Sequence, residues 1–421
     1  MKKMCAWNRN RWIDVIIFGV LFVVYTIIMF RLFYNQTFGN DQFYPSDMKA
    51  YILEMQGLNT KYSFPYPIFF KLGALFHIFI QSPELCIALA ACVLNSLGLI
   101  FLKYYLDKSV TRVAQALAGE NSAESLGNWD KKRLYMGLLT SGVSIAMFFV
   151  SMLFLPNDMF LPGLRFKYMG VFTPNPYHNA TYQVSRPFAI VCFFLFADIL
   201  GEYEQKSDYK KFTLFGLFLL LLTMTKPSFT FVLVAVAGII MAWRLIVGRF
   251  KNFLPALRLG LFFVPTFCAL LYQFFGVFGP VEEGERGIGI GFALVWKEYS
   301  GNIVFSILLA MACPLFVLLF HLKDLKKSSL YLFSWQIYLM GLAQVLLLYE
   351  KGFRIYDMNF CWGYMYGILF AFIGVLVVLL RDTYEAKVNK WLLSVQWLSF
   401  LAHVVMGVWY FKGIFMGNLY Y

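Results

Sequence analysis

The chain alternates long apolar runs with short polar stretches from its first residues onward. A helix needs about 20 apolar residues to cross a hydrocarbon core, and residues 13–33 supply the first such run. Further runs of adequate length lie at 84–106, 134–155, 186–203, 258–278, 301–321, 329–349, 358–380 and 391–411. The stretch 212–246 is apolar except for Lys226-Pro227-Ser228. As one helix it would be about 50 Å long, against a core of about 30 Å. Two helices meeting at the Lys-Pro-Ser break fit better, and the expected count becomes eleven. The pattern predicts an all-α polytopic membrane protein with one transmembrane domain over residues 1–421 and no internal repeat.

Composition excludes the soluble alternative. Hydrophobic residues make up 60%, aromatics 20% and charged residues only 14%, where a soluble domain is about 45–50% apolar and about 25% charged. The first run follows basic residues and lacks a small-residue cleavage site, so it reads as a retained signal anchor. With the N-terminus in the cytosol, the inner segments hold 23 of the 36 Lys and Arg residues, and the net charges are +11 inside and +2 outside. That asymmetry follows the positive-inside rule and supports two crossings within 212–246, because one crossing would reverse every later loop. The overall charge of +13 is thus a topology signal, and nucleic-acid binding is a poor explanation of it. The chain reads as a multi-pass plasma-membrane protein with a cytosolic N-terminus and an extracytoplasmic C-terminus. Seven cysteines without CxxC spacing read as small hydrophobes, and four scattered histidines offer no metal-ligand pattern.

The loops are unequal. The outer loop 34–83 contains FGNDQFYPSDMKAYILEMQG, then YSFPYP, then the apolar stretch 68–80, which is short for a crossing and is expected in the outer interface. A second outer loop, 156–185, is rich in Pro, Asn and Tyr, and a third spans 279–300. The cytosolic loop 107–133 is polar and carries no recognisable chemistry.

Candidate chemistry concentrates in the outer loops. Asp41 and Asp47 lie in the first, and Asp47 opens a segment with Met48, Tyr51, Ile52 and Met55 at helical spacing, the pattern of an interfacial amphipathic helix. Asp47 there is either a helix cap or a base whose ionisation a helix N-terminus favours. Lys226, between two apolar stretches, is either a snorkelling helix-end lysine or a functional cation, and a break there requires a protein-lined setting. Asn175, His178 and Asn179, followed by Arg186 at the start of the fourth run, combine groups that grip sugars and phosphates, although His178 equally fits a solvated turn. Arg165, Lys167, Arg354 and Asp357 are weaker candidates, and the last two are spaced to pair with each other. The glycines of GPVEEGERGIGIG lack the lysine of a phosphate loop, so nucleotide binding is rejected. Asn35-Gln36-Thr37 and Asn179-Ala180-Thr181 match a glycosylation acceptor.

The layout resembles the GT-C superfamily of membrane glycosyltransferases. The likeness lies in the eleven expected spans, the acidic first outer loop (Asp41, Asp47), the Tyr66-Pro67 pair that follows and the mid-chain Lys226-Pro227 break. The chain departs from the family pattern in lacking an adjacent Asp-Glu pair in that loop, a WWD-type motif and a soluble C-terminal domain. The resemblance implies a polyprenyl-phosphate-linked sugar as donor, a glycan, lipid or polymer as acceptor, and Asp47 or Asp41 as catalytic base. Tyr66 and the cations Lys226 and Arg186 then fall on the substrate side. No cofactor is required, and a divalent cation is compatible. A polysaccharide polymerase and a transporter of lipid-linked or small substrates are the competing readings.

Cysteine labelling from either side of the membrane tests the orientation. Loops 107–133, 204–211, 247–257 and 381–390 should label from inside, and residues 41–62, 160–180 and Tyr421 from outside. An inside Tyr421 would overturn the eleven-span count.

Overall fold

The computed structural model describes residues 2–58, 64–118, 131–154, 166–167, 169–278 and 287–418. Fifteen α-helices occupy most of it. They are α1 (Lys2–Phe38), α2 (Met48–Met55), α3 (Ile68–His77), α4 (Pro83–Ala118), α5 (Lys131–Met147), α6 (Ala180–Glu202), α7 (Tyr209–Thr223) and α8 (Ser228–Val247). After them come α9 (Phe253–Gly260), α10 (Val264–Phe278), α11 (Trp296–Tyr299), α12 (Ile303–His321), α13 (Ser329–Leu347), α14 (Cys361–Glu385) and α15 (Lys390–Phe415). Among the described residues, nine helices are long and apolar enough to cross a membrane, so the protein is an all-α multi-pass membrane protein.

The two expected crossings that fall short do so for visible reasons. Helix α5 has 17 residues and stops at Met147, although the apolar run continues to 155. A tight turn of backbone bonds closes its last carbonyls, and side chains from the segment 173–177 take those at and just beyond its end. Asn175 Nδ2 donates to Met147 and Val150 carbonyls, Thr173 Oγ1 to Val150 and Tyr177 Oη to Phe148. Helix α7 has 15 residues and ends at the Lys-Pro-Ser break. There the backbone N–H of Ile68 donates to the Met224 carbonyl and Gln273 Nε2 to that of Thr223. The freed backbone is therefore satisfied inside protein, as a break at membrane depth requires.

Helices α6 and α14 are buried on nearly every side, and α14 packs most extensively on α13. By contrast α1, α8, α12 and α15 present exposed Val, Ile, Leu, Phe and Trp side chains along one face, which is what lipid-facing helices must do. Helices α2 and α3 sit beside α4, with Met48, Tyr51, Ile52, Phe69 and Phe70 buried. At the far end of α3, Ile78 and Phe79 remain exposed.

The all-α expectation has one small exception. Strand β1 (Ile288–Ile290) pairs antiparallel with β2 (Leu348–Glu350), with Gly289 opposite Tyr349. A Cβ on Gly289 would collide with the Tyr349 ring, so the tyrosine lies across the strand only because glycine is there.

An ion cluster is buried between α1, α4 and α5. Lys103 Nζ reaches Asp107 at 2.7 Å, Asp14 at 3.2 Å, the Gly137 carbonyl at 3.0 Å and Thr140 Oγ1 at 2.9 Å. A buried lysine so fully bonded is a structural brace.

Close approach limits α15 in the same way. A Cβ on Gly407 would run into the carbonyl oxygen of Phe149, a backbone atom with little freedom to move. Gly407→Ala should lower the melting point in detergent by an overpacking cost of about 1–3 kcal/mol. An unchanged melting point would show that this contact is not tight.

Candidate functional site

Helix α6 begins at Ala180 because Asn179 adopts an extended conformation and its side-chain oxygen accepts the N–H of Tyr182 at 2.9 Å. That cap fixes a side chain that does much more. Asn179 Nδ2 donates to Asp47 Oδ2 at 2.6 Å, and the same nitrogen lies 3.1 Å from Tyr51 Oη. Asn179 Oδ1 also accepts from Lys226 Nζ at 3.3 Å and from Thr181 Oγ1 at 2.7 Å.

Asp47 occupies the cap position of α2, but its side chain makes no capping bond. Its carboxylate instead accepts from Asn179 and, at 3.2 Å, from Tyr51 Oη. It is exposed, while its backbone N–H donates to the His178 carbonyl at 3.4 Å. The helix start thus aims this acid at the second outer loop.

Lys226 is only 6% exposed. Its ammonium donates to Thr181 Oγ1 at 2.9 Å as well as to Asn179, and lies 4.4 Å from the centroid of the Trp362 ring. Among the described residues no carboxylate pairs with it directly; Asp47 acts on it from the other end of the Asn179 amide. It does not snorkel. The partly buried His178 ring lies 5.5 Å from Trp362. Burial pushes its imidazole down to about 4; the Asp47 carboxylate opposes that shift and the Lys226 ammonium adds to it. Tyr66 stacks against Phe70 and feels the charges of Asp47 and Arg354, which puts it within the same polar neighbourhood.

Five of the expected residues therefore come together: Asp47, Lys226, His178, Asn179 and Tyr66. Arg354 is near them, engaged with Asp357 at 2.9 Å and Glu350 at 3.6 Å, so the expected pairing of Arg354 and Asp357 is present.

The others stand elsewhere. Asp41 pairs with Lys49 at 2.8 Å, and both are more than half exposed, so it forms a surface ion pair. Arg186 is a correction to the expected phosphate contact. It lies within α6, not at its mouth, and is fully buried, bonded to Asn175 and Asn95 and packed over the Phe148 ring at 4.5 Å. No ligand reaches it there. Asn175 is used up by Arg186 and the end of α5 and is likewise structural. Lys167 lies over the Tyr299 ring at 5.3 Å. Arg165 and the acidic stretch 282–286 lie outside the described residues. The two glycosylation triplets are closed to a glycan in this fold: Asn35 is buried within α1 and the Asn179 amide is fully engaged.

Three residues of the cluster were not legible beforehand. Tyr51 read as part of an apolar face, Thr181 as part of a glycosylation triplet, and Trp362 was not singled out. Only for Trp362 was there a signal, the interfacial position that favours Trp.

Among the described residues no group of three His, Cys, Asp or Glu side chains is arranged to hold a metal ion. No protein-family model matches the chain, and no curated protein and no solved structure matches it either. The chemistry of the cluster must be judged on its own geometry. It offers an exposed carboxylate that can take a proton and a buried ammonium with neutral partners that can receive an anion.

The depressed His178 has a measurable consequence. Its native value of about 4 lies below the unfolded value of about 6.5, so the unfolded chain binds the extra proton first. The stabilisation is complete above about pH 6.5 and is lost as pH falls toward 4. His178→Gln should flatten the fall in melting temperature over that window. Parallel curves for the two proteins would show that His178 is not held neutral.

Proposed function

We propose that the protein is a GT-C-like glycosyltransferase that moves a sugar from a polyprenyl-phosphate donor to a glycan, lipid or polymer acceptor on the extracytoplasmic side. The observation that carries this reading is the linkage of Asp47 and Lys226 through one amide at the outer end of the helix bundle. In the reaction the acceptor hydroxyl attacks the anomeric carbon and its proton passes to Asp47. The bond from that carbon to the phosphate oxygen breaks, and the phosphate leaves with the electron pair, its charge met by Lys226. Arg186 has no part in this, and Asp41 is not the base.

The reading includes eleven crossings, with α5 and α7 counted although they have 17 and 15 residues. What supports counting them is the inside excess of Lys and Arg, together with the loop and interfacial elements that cover their outer ends. On this topology the N-terminus is cytosolic, the cluster extracytoplasmic, and the membrane the plasma membrane.

Purified protein supplied with polyprenyl-phosphate sugars provides the test. Asp47→Asn should lower transfer by about 10²–10⁴-fold while the protein still folds. Lys226→Met should raise the donor's apparent constant about ten- to hundred-fold, as expected for loss of a charge-assisted bond of ~1.5–3 kcal/mol. Its melting point should hold or rise, because an apolar chain replaces a buried charge. Equal donor constants with a lower melting point would make Lys226 structural. The broken helix α7–α8 also fits a transporter, and absence of transfer by the unmodified chain would favour that reading.

A further inference from the structure

We infer that Asn179 is a positioning residue, one that holds the Asp47 carboxylate and the Lys226 ammonium in a single site while keeping them from pairing directly. Its role in transfer rests on the base-and-cation reading above; its geometry does not.

The orientation of the amide follows from the backbone. The Tyr182 N–H can only donate, so the side-chain atom it meets at 2.9 Å is the carbonyl oxygen. The amide nitrogen then faces Asp47 Oδ2, at 2.6 Å. Every polar position of the side chain is committed: the nitrogen to Asp47 and Tyr51, the oxygen to Tyr182, Thr181 and Lys226. Asn179 has no capacity left for a substrate, which removes the substrate-binding role its sequence context implied.

What the amide achieves is separation at short range. A direct ion pair would make the carboxylate a weaker base and satisfy the ammonium that an anion should meet. With the amide between them, the carboxylate is stabilised by a donor and the ammonium by a neutral acceptor, and each charge stays available. Thr181 shares the duty on the cation side, donating to Asn179 and accepting from Lys226. Besides Asn179, the groups that the Asp47 charge reaches include Tyr51 on its own helix, Tyr66 before α3, His178 before α6 and Lys226 at the α7–α8 break. Arg354 acts on Lys226 and Tyr66 from beyond them.

Asn179→Asp is the decisive variant. It keeps an oxygen for the Tyr182 N–H, since Asp caps helices as well as Asn does, but sets a second carboxylate against Asp47. Lys226 and the α6 N-terminus favour ionisation of the new acid, so Asp47 is the group that holds a proton. Two measurements follow. The acid limb of the pH–rate profile should move upward by about one unit or more. Independently of any activity, the melting temperature should fall progressively below wild type as pH rises from 5 to 8. A carboxyl with a raised native pKa has its full stabilisation below its unfolded value and loses it as pH climbs toward the raised one. His178 stays neutral across this range, with its native value about 4.

The exchanged pair Asp47→Asn with Asn179→Asp restores one amide and one carboxylate and should melt parallel to wild type. It also covers the case in which Asn179→Asp alone fails to fold. Parallel melts of Asn179→Asp and wild type at every pH, or an exchanged pair that keeps the pH-dependent loss, would overturn the inference. Absence of transfer by wild type would sink the enzyme reading instead, with the melting series still deciding the role of Asn179.

Discussion

A lysine buried at the break between α7 and α8 is the constraint around which this end of the helix bundle is organised. Neither a bilayer nor a packed protein tolerates an unsatisfied ammonium beside unsatisfied carbonyls. The first turn of α6 supplies Asn179 and Thr181, the start of α14 supplies the Trp362 ring, and the start of α3 with Gln273 of α10 supplies donors for the carbonyls ending α7. Elements distant in sequence meet here because one charge and one interrupted helix need partners that no single element contains.

Three buried cations in the same fold show how partners decide use. Lys103 is bonded to two carboxylates, a hydroxyl and a carbonyl, so its charge is neutralised and its donors are spent. Arg186 is bonded to two amides over a phenyl ring in a fully buried position, where nothing from outside reaches it. Lys226 has only neutral partners and lies next to an exposed carboxylate. The first two tie helices together. The third keeps a charge without a direct counter-ion among the described residues, an arrangement that costs stability unless an anion arrives.

The bundle gives that arrangement its rigidity. Ser185 and Tyr366 meet at 2.6 Å, the Tyr366 hydroxyl donates to the Tyr182 carbonyl, and Phe193 stacks on Phe370. The two helices α6 and α14 are thus bonded and stacked over their first halves, and each carries part of the cluster at its N-terminal end. A site built from helix ends on such a frame holds its distances better than one built on loops.

The amino-acid sequence by itself determined the class, an all-α chain of membrane-length helices, and singled out Asp47 and Lys226 as candidates. Apolar runs of bilayer length, the near absence of charge within them and a lone Lys-Pro break are local properties, legible one segment at a time. It left Asp41 beside Asp47, and Arg186 beside Lys226, as candidates, because the partners of each charge lie far along the chain. Only the tertiary structure separated them. Asp41 found a surface lysine and Arg186 found Asn95 and Asn175, while Asp47 and Lys226 found opposite ends of Asn179. The physical reason is that a charged side chain's role depends on its partners and its burial. In this chain those partners lie far along the sequence, 132 residues away for Asp47 and Asn179, where no periodicity or spacing rule reaches.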